Sequence, residues 1–305
     1  MSSLVLSFLK SRMAPLAAAV ICTLIVAGGA RAQMANYAES GEPDDPGLEL
    51  LQEEPHDLLY LTEASGDGWA KLRLLNLPGR RLPANPTGSV RFQVIGIEGK
   101  EFAANWTDIE RIDLWEDRLE RETKERIARG DFKGAYPFLS VLIRDFPNRP
   151  GLRDIRSEFL WKDAVARAQR GELAPTLAML EELRRYAPEY KASSVIGAID
   201  ATTDRLMQSM VNSNELDLAQ QLLSRLEDDY QGARLKSIVK WNQEFLKMAT
   251  SKRQEALDAL DKKDYRSARK LARDSIYLKP DIQGGQDLVD EIDTVYPLVN
   301  VGVLQ

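Results

Sequence analysis

The 305-residue chain has one histidine, His56, and one cysteine, Cys22. This scarcity excludes histidine triads, Cys/His zinc clusters, disulfide frameworks and thiol nucleophiles. No dinucleotide fingerprint, phosphate loop, zinc spacing or serine-nucleophile elbow is present either. No catalytic, cofactor-binding or metal residue is therefore assigned, and no enzymatic activity is expected. Basic residues are the minority, 41 Lys and Arg against 47 Asp and Glu, for a net charge of −6. That balance argues against nucleic acid as a partner, because neutralising phosphates needs clustered Lys and Arg. What is present is ordinary for a globular chain: 44% hydrophobic and 29% charged residues. This is enough apolar material for a packed core, in a length that suggests about two domains.

Residues 1–32 read as a secretory signal peptide. Lys10 and Arg12 supply the positive n-region, Leu16 to Val26 the apolar h-region, and Ala30-Arg31-Ala32 the small–x–small cleavage site, with Gln33 as the mature start. The competing reading is an uncleaved anchor, since Met13 to Ala30 is 18 residues, the lower edge of a membrane span. Pro15 and Gly28-Gly29 shorten its effective helix. Cys22 follows Ile21 in mid-h-region, where a lipoprotein site would want a small residue. Cleavage predicts a periplasmic or secreted protein with no stable membrane span and no cysteine. It leaves 38 basic against 47 acidic residues, a net charge of −9. Residues 33–57 hold eight acids and no Lys or Arg. They read as a flexible acidic leader that ends with a solvated His56.

Residues 58–115 change to short strands. Asp57 to Thr62, Trp69 to Leu75, Val90 to Val94 and Phe102 to Trp106 are β-rich or alternate, and Ile109, Ile112 and Leu114 lead out. Ser65 to Gly68, the proline-rich loop 77–86 and Gly96 to Gly99 are the turn signals. About five short strands suggest a small antiparallel barrel or curled sheet. Trp69 and Trp106 are candidates for stacking on a sugar or peptide. Gly79-Arg80-Arg81 is the most basic spot, read as a solvated edge. Asn105-Trp106-Thr107 matches a glycosylation sequon inside a predicted strand and is discounted.

Internal similarity dominates the remainder. Four segments begin at Gly130, Gly171, Asn214 and Lys263, spaced 41, 43 and 49 residues apart. In each, a large residue (Phe132, Leu173, Leu216, Tyr265) stands fifteen residues before Pro147, Pro188, Gln231 and Pro280. The pattern predicts a turn, then a helix of about four turns, then a proline stop. A second amphipathic helix precedes each: 117–128, 152–168, 195–211 and 233–260. Glu120–Lys124 and Glu122–Arg126 are expected as i,i+4 pairs on the outside of the first. The predicted fold is mainly α with a small β module: an N-terminal short-stranded barrel or sheet, then an α-solenoid of about four antiparallel helix pairs.

Residues 117–281 resemble the tetratricopeptide-repeat superfamily through Gly130–Phe132–Ala135, Glu215–Leu216–Ala219, Asp264–Tyr265–Ala268 and the closing prolines. They depart from it in their longer, uneven period. The resemblance implies stacked helix pairs with a concave face for a protein or peptide partner. No ligand-binding residue of that family matches this chain position by position.

Residues 282–305 comprise a short helix, Gln286 to Tyr296, and the β-rich end Leu298 to Gln305. A lone strand is unstable in water, so it pairs elsewhere or begins a further domain. With the signal peptide, β module and helices, Tyr296 to Val303 is similar to the N-terminal region of planctomycete-type extracellular solute-binding proteins of the peptide-type ABC transporter class, family 5. That resemblance implies an accessory arm lacking the binding lobes. The alternatives are a stand-alone repeat protein that binds an envelope partner, and a carboxylate-dependent hydrolase using Trp69 or Trp106.

Overall fold

The computed structural model describes residues 49–65, 68–231 and 235–297. Cys22, the cleavage residues Ala30, Ala32 and Gln33, and the terminal strand 298–305 lie outside the described residues. The chain divides into two compact units, one ending at Phe159 and the other starting at Leu160.

In the first unit a short helix α1 (Glu49–Gln52) precedes β1 (His56–Leu61), β2 (Trp69–Arg73), β3 (Ser89–Phe92), β4 (Phe102–Asn105) and β5 (Ile109–Asp113). β1 to β4 fall on the β-rich and alternating runs read from the sequence, and β5 lies in the segment of Ile109, Ile112 and Leu114 that leads out of the module. They do not form a barrel. β2, β1 and β5 make one antiparallel sheet in that order, and β3 and β4 make a separate hairpin. The two are coupled where Arg73 N–H donates to Gln93 O and Ile95 N–H to Lys71 O, each 2.9 Å, around a Leu72–Val94 bridge. Closing a ring needs a continuous stagger between first and last strands, and the four-residue hairpin strands supply too little ladder for it.

Leu59, Leu72, Leu75, Val90, Ile112 and Leu114 form the core of this module. β1 starts at His56, so the predicted solvated leader end is wrong: His56 is 1% exposed and Asp57 is fully buried. Leu74 is exposed, and Leu75 turns in instead. The strand stops at Arg73, so the period of two no longer applies beyond it.

Helices follow: α2 (Trp115–Arg129), α3 (Phe132–Asp145), α4 (Leu152–Gln169), α5 (Leu173–Tyr186), α6 (Ala192–Asn212), α7 (Leu216–Asp229), α8 (Lys236–Asp261), α9 (Tyr265–Leu278) and α10 (Gly285–Val295). The eight repeat helices match the sequence periods within a few residues. In the first unit α2 packs on α3. In the second, α5 packs on α6, α6 and α7 on α8, α8 on α9, and α9 on α10. Met207, Leu223, Trp241 and Phe245 fill one cluster there, and Ala256, Ala268, Ala272 and Leu288 another.

Each helix pair uses the same link. Gly130, Gly171, Asn214 and Lys263 are all left-handed, with φ of 78°, 80°, 58° and 62°. The next residue, Asp131, Glu172, Glu215 or Asp264, donates its N–H to the carbonyl five residues back, on Arg126, Arg167, Met210 and Ala259. This is the 6→1 bond of a Schellman ending, and it turns the chain sharply into the next helix. The small residue three after the helix opening, Ala135, Thr176, Ala219 or Ala268, is almost fully buried each time. α7 ends at the same relative position as α3, α5 and α9 although Gln231 replaces the proline. Its Tyr230 N–H still bonds Leu226 O, as Phe146 bonds Leu142. The prolines reinforce the stop without creating it.

One expected exterior pair is partly interior. Arg126 does bond Glu122, at 2.6 Å, but it is 2% exposed and lies under the Phe138 ring. Its other arm reaches Asp131 at 3.0 Å. Arg167 repeats the device 41 residues later with Asp163 and Glu172.

Candidate functional site

A dense polar grouping in the first unit assembles around Arg80. Its Nη2 donates to Asp57 Oδ1 at 2.7 Å and its Nη1 to Asp57 Oδ2 at 2.9 Å. Nε and Nη2 donate to Glu116 Oε1 and Oε2 at 2.9 and 2.6 Å, and Nη1 also donates to Leu75 O at 2.7 Å. Asp57 receives two backbone donors as well, Leu75 N–H at 2.8 Å and Trp115 N–H at 2.9 Å. The Trp115 bond caps the first turn of α2, whose own N-cap, Leu114, has no side-chain oxygen to offer.

Asp57 and Glu116 are both inaccessible, while Arg80 is 22% exposed. Burial opposes the guanidinium charge, but bonds and charges from Asp57 and Glu116 outweigh it and hold Arg80 above the ordinary arginine range. Arg80 itself sits at φ 52°, in the left-handed region, beside Gly79 at φ 61°. The loop accepts that strain to deliver the guanidinium.

This grouping corrects the reading of Gly79-Arg80-Arg81 as a solvated edge. Chemically it is saturated. Both Asp57 oxygens accept two hydrogen bonds, and both Glu116 oxygens are taken by Arg80. Such carboxylates tie β1, the loop after β2 and α2 together; proton transfer would require breaking the ties. Arg149, from the segment after α3, extends the network to Asp117 and to Glu120 at 2.6 Å.

Beside it lies His56. Its Nδ1 is 2.8 Å from Glu54 O, and its Nε2 is 2.8 Å from Arg118 Nη1. The tautomer with hydrogen on Nδ1 satisfies both: Nδ1–H donates to the carbonyl and Nε2 accepts from the guanidinium. The ring packs on Trp115, 5.1 Å between centroids. Trp115 Nε1 is buried with no acceptor.

The register puts His56, Leu58 and Tyr60 of β1 beside Arg73, Lys71 and Trp69 of β2 on one face of the sheet. Asp113 and Arg111 of β5 complete the rows. This is the face opposite the module core. Trp69 is 62% exposed on it. The Arg111 guanidinium lies 4.2 Å over the Tyr60 ring and pairs with Asp113 at 3.2 Å. Lys71 pairs with Glu53 at 2.8 Å. The Lys71 hydrogen bond holds the Glu53 carboxyl below its usual range.

The other sequence candidates scatter. Trp106 is in a 3-10 turn after β4, half-buried and packed on the module core. It does not share a face with Trp69. Asn105 is exposed at the end of β4 and bonds Asp108.

In the second unit an open groove of about 190 Å³ runs between α4, α5 and α6, lined by Ala164, Ala168, Leu180, Ala198 and Arg205. Among the described residues no cluster of His, Cys, Asp and Glu could hold a metal ion. No described helix is long and apolar enough to cross a membrane. Asp57, Glu116 and Arg118 were not singled out by sequence reasoning. Their only signal was acidic or basic residues abutting apolar runs, and that pattern is common on solvated surfaces too. Neither any protein-family model nor any curated protein matches the chain.

Proposed function

We propose that the protein is an exported, non-enzymatic interaction scaffold. Its tetratricopeptide-like helix pairs stack as an α-solenoid whose concave face takes a protein or peptide. In this reading it is the accessory N-terminal arm of a peptide-type solute-binding transport protein. The observation that carries the scaffold reading is the link repeated four times at Gly130, Gly171, Asn214 and Lys263. Identical links give each helix pair the same internal turn, and helix pairs built alike can bury their apolar faces on one another. The hydrogen bonds that occupy the Arg80 grouping support a structural role for the buried carboxylates of Asp57 and Glu116.

Small-angle scattering on the exported chain tests the stacking. A compact globule of this length has a radius of gyration of about 19 Å. A solenoid gives a clearly larger value with an elongated pair-distance distribution; the globular value refutes it. N-terminal sequencing of the chain recovered from the periplasm tests export, with Gln33 expected as the first residue. Sequencing the DNA beyond the Gln305 codon tests the transport link, which requires an in-frame solute-binding domain.

A further inference from the structure

The outer face of the β2-β1-β5 sheet carries cations short of counter-charge. Arg118, at the start of α2, is half-buried; its one side-chain hydrogen bond goes to His56 Nε2, which also lies 3.4 Å from Glu53 Oε2, and its guanidinium lies 5.4 Å from the centre of the Trp115 ring. No carboxylate lies within ion-pair distance of it among the described residues. Burial draws its guanidinium below the ordinary arginine range, with Glu53, Tyr60 and Asp113 only partly offsetting this. Arg73, paired in register with His56, is exposed and has no ion-pair partner among the described residues. At the other end of β2, Trp69 presents an open indole beside Tyr60, whose ring has the Arg111 guanidinium 4.2 Å above its centre. Four residues of strand separate Trp69 from Arg73, about 13 Å. The face therefore offers an aromatic surface at one end and two under-used guanidiniums at the other.

We infer that this sheet face binds an acidic oligosaccharide, with a sugar ring stacked on Trp69 and ring carboxylates on Arg118 and Arg73. Guanidinium forks match carboxylates in bidentate geometry. The exposed indole gives a flat apolar surface for the C–H face of a sugar ring. Charge complementarity selects the occupant. Glu53 and Asp113 flank the same face, and their charges oppose the closely spaced phosphates of a nucleic acid strand. A chain bearing one carboxylate per ring or per disaccharide fits between them. The inference concerns the β2-β1-β5 sheet and the first turn of α2, and stands apart from the role proposed for the stacked helix pairs.

Isothermal titration of the full chain with trisaccharide-length fragments of polygalacturonate, alginate and hyaluronate tests it. At least one is expected to bind, with affinity falling as salt rises. Its methyl-esterified form should bind at least tenfold more weakly. Trp69→Ala and Arg73→Gln change exposed side chains, so their thermal melts should match the parent while each weakens binding several-fold. Arg118→Gln should weaken it tenfold or more. If Arg118→Gln fails to fold, the two exposed variants decide. Absence of binding to all three fragments overturns the inference. So does equal binding of the ester, unchanged affinity in both exposed variants, or tighter binding of oligothymidylate than of any acidic fragment.

Discussion

In the helical region one backbone link recurs four times, whereas in the β module the decisive contacts occur once each. The recurring link depends on what a residue does locally: a left-handed position, a following acidic residue, a small residue three places after the helix opening. The β module is joined through Asp57, Arg80 and Glu116, which come from separate parts of the chain and meet only when it is folded. A fault in the helices should therefore cost a local increment that another repeat can tolerate. A fault in the module should expose buried charge with no substitute partner.

Arg80→Ala would break this contrast most severely. It leaves two inaccessible carboxylates uncompensated, and removal of one member of a buried ion grouping costs about 3–5 kcal/mol. The expected result is loss of the module, read as collapse of the near-ultraviolet signal of Trp69, Trp106 and Trp115 while helical ellipticity largely persists. If the variant melts like the parent, the grouping is dispensable. Combining Arg80→Met with Asp57→Asn and Glu116→Gln should recover part of the loss, because no charge is then left unpaired.

A smaller effect belongs to Asp200 on α6. Its Oδ1 accepts from Ser237 N–H at 2.8 Å and Ser237 Oγ at 2.6 Å. It thus caps α8, whose own N-cap Leu235 has no capping side chain. Asp200→Ala should cost about 1–2 kcal/mol in urea unfolding. An unchanged midpoint would show that α8 needs no cap from its neighbour.

The links themselves give a paired test. Gly171 sits at φ 80° with open space around its missing Cβ. Gly171→Ala should cost about 1 kcal/mol through backbone conformation alone. Lys263 occupies the equivalent place at φ 62°, so Lys263→Gly should gain about 0.5–1 kcal/mol. Opposite shifts in melting temperature are expected; shifts of the same sign would mean the four links are not equivalent.

The smallest effect is pH-dependent. Burial raises the Glu181 carboxyl above its ordinary value, and Arg225 offsets this only in part. Its folded pKa is above the unfolded one, so its stabilising contribution is present below the unfolded value and lost as pH rises through the folded one. Glu181→Gln should flatten the stability profile just above the usual carboxylate range. A parallel profile would show that Arg225, 3.0 Å away, fully compensates the burial.

Much of this architecture was legible in advance. Phe132, Leu173, Leu216 and Tyr265 at matched distances from their helix ends, with apolar residues at spacings of three and four, place eight helices closely. β-rich runs and alternation place the first four strands, and the segment that leads out of the module becomes the fifth. The split into a three-stranded sheet and a separate hairpin was not legible, since strand alternation says which face is buried and nothing about which edges meet. His56 was misplaced because Pro55 and the acids before it read as linker. The strand that captures it is defined by partners at Arg73 and Asp113 far along the chain.

By itself, then, the amino-acid order determined the helices, their links and the strands. Those depend on φ preference, capping and hydrophobic period, which act over a few residues. Only the tertiary structure decided the fate of the charges. Asp57 and Glu116 are ordinary surface residue types that become buried because each finds Arg80 in space. Burial of a charge is set by that pairing, and pairing across dozens of residues is a property of the folded chain.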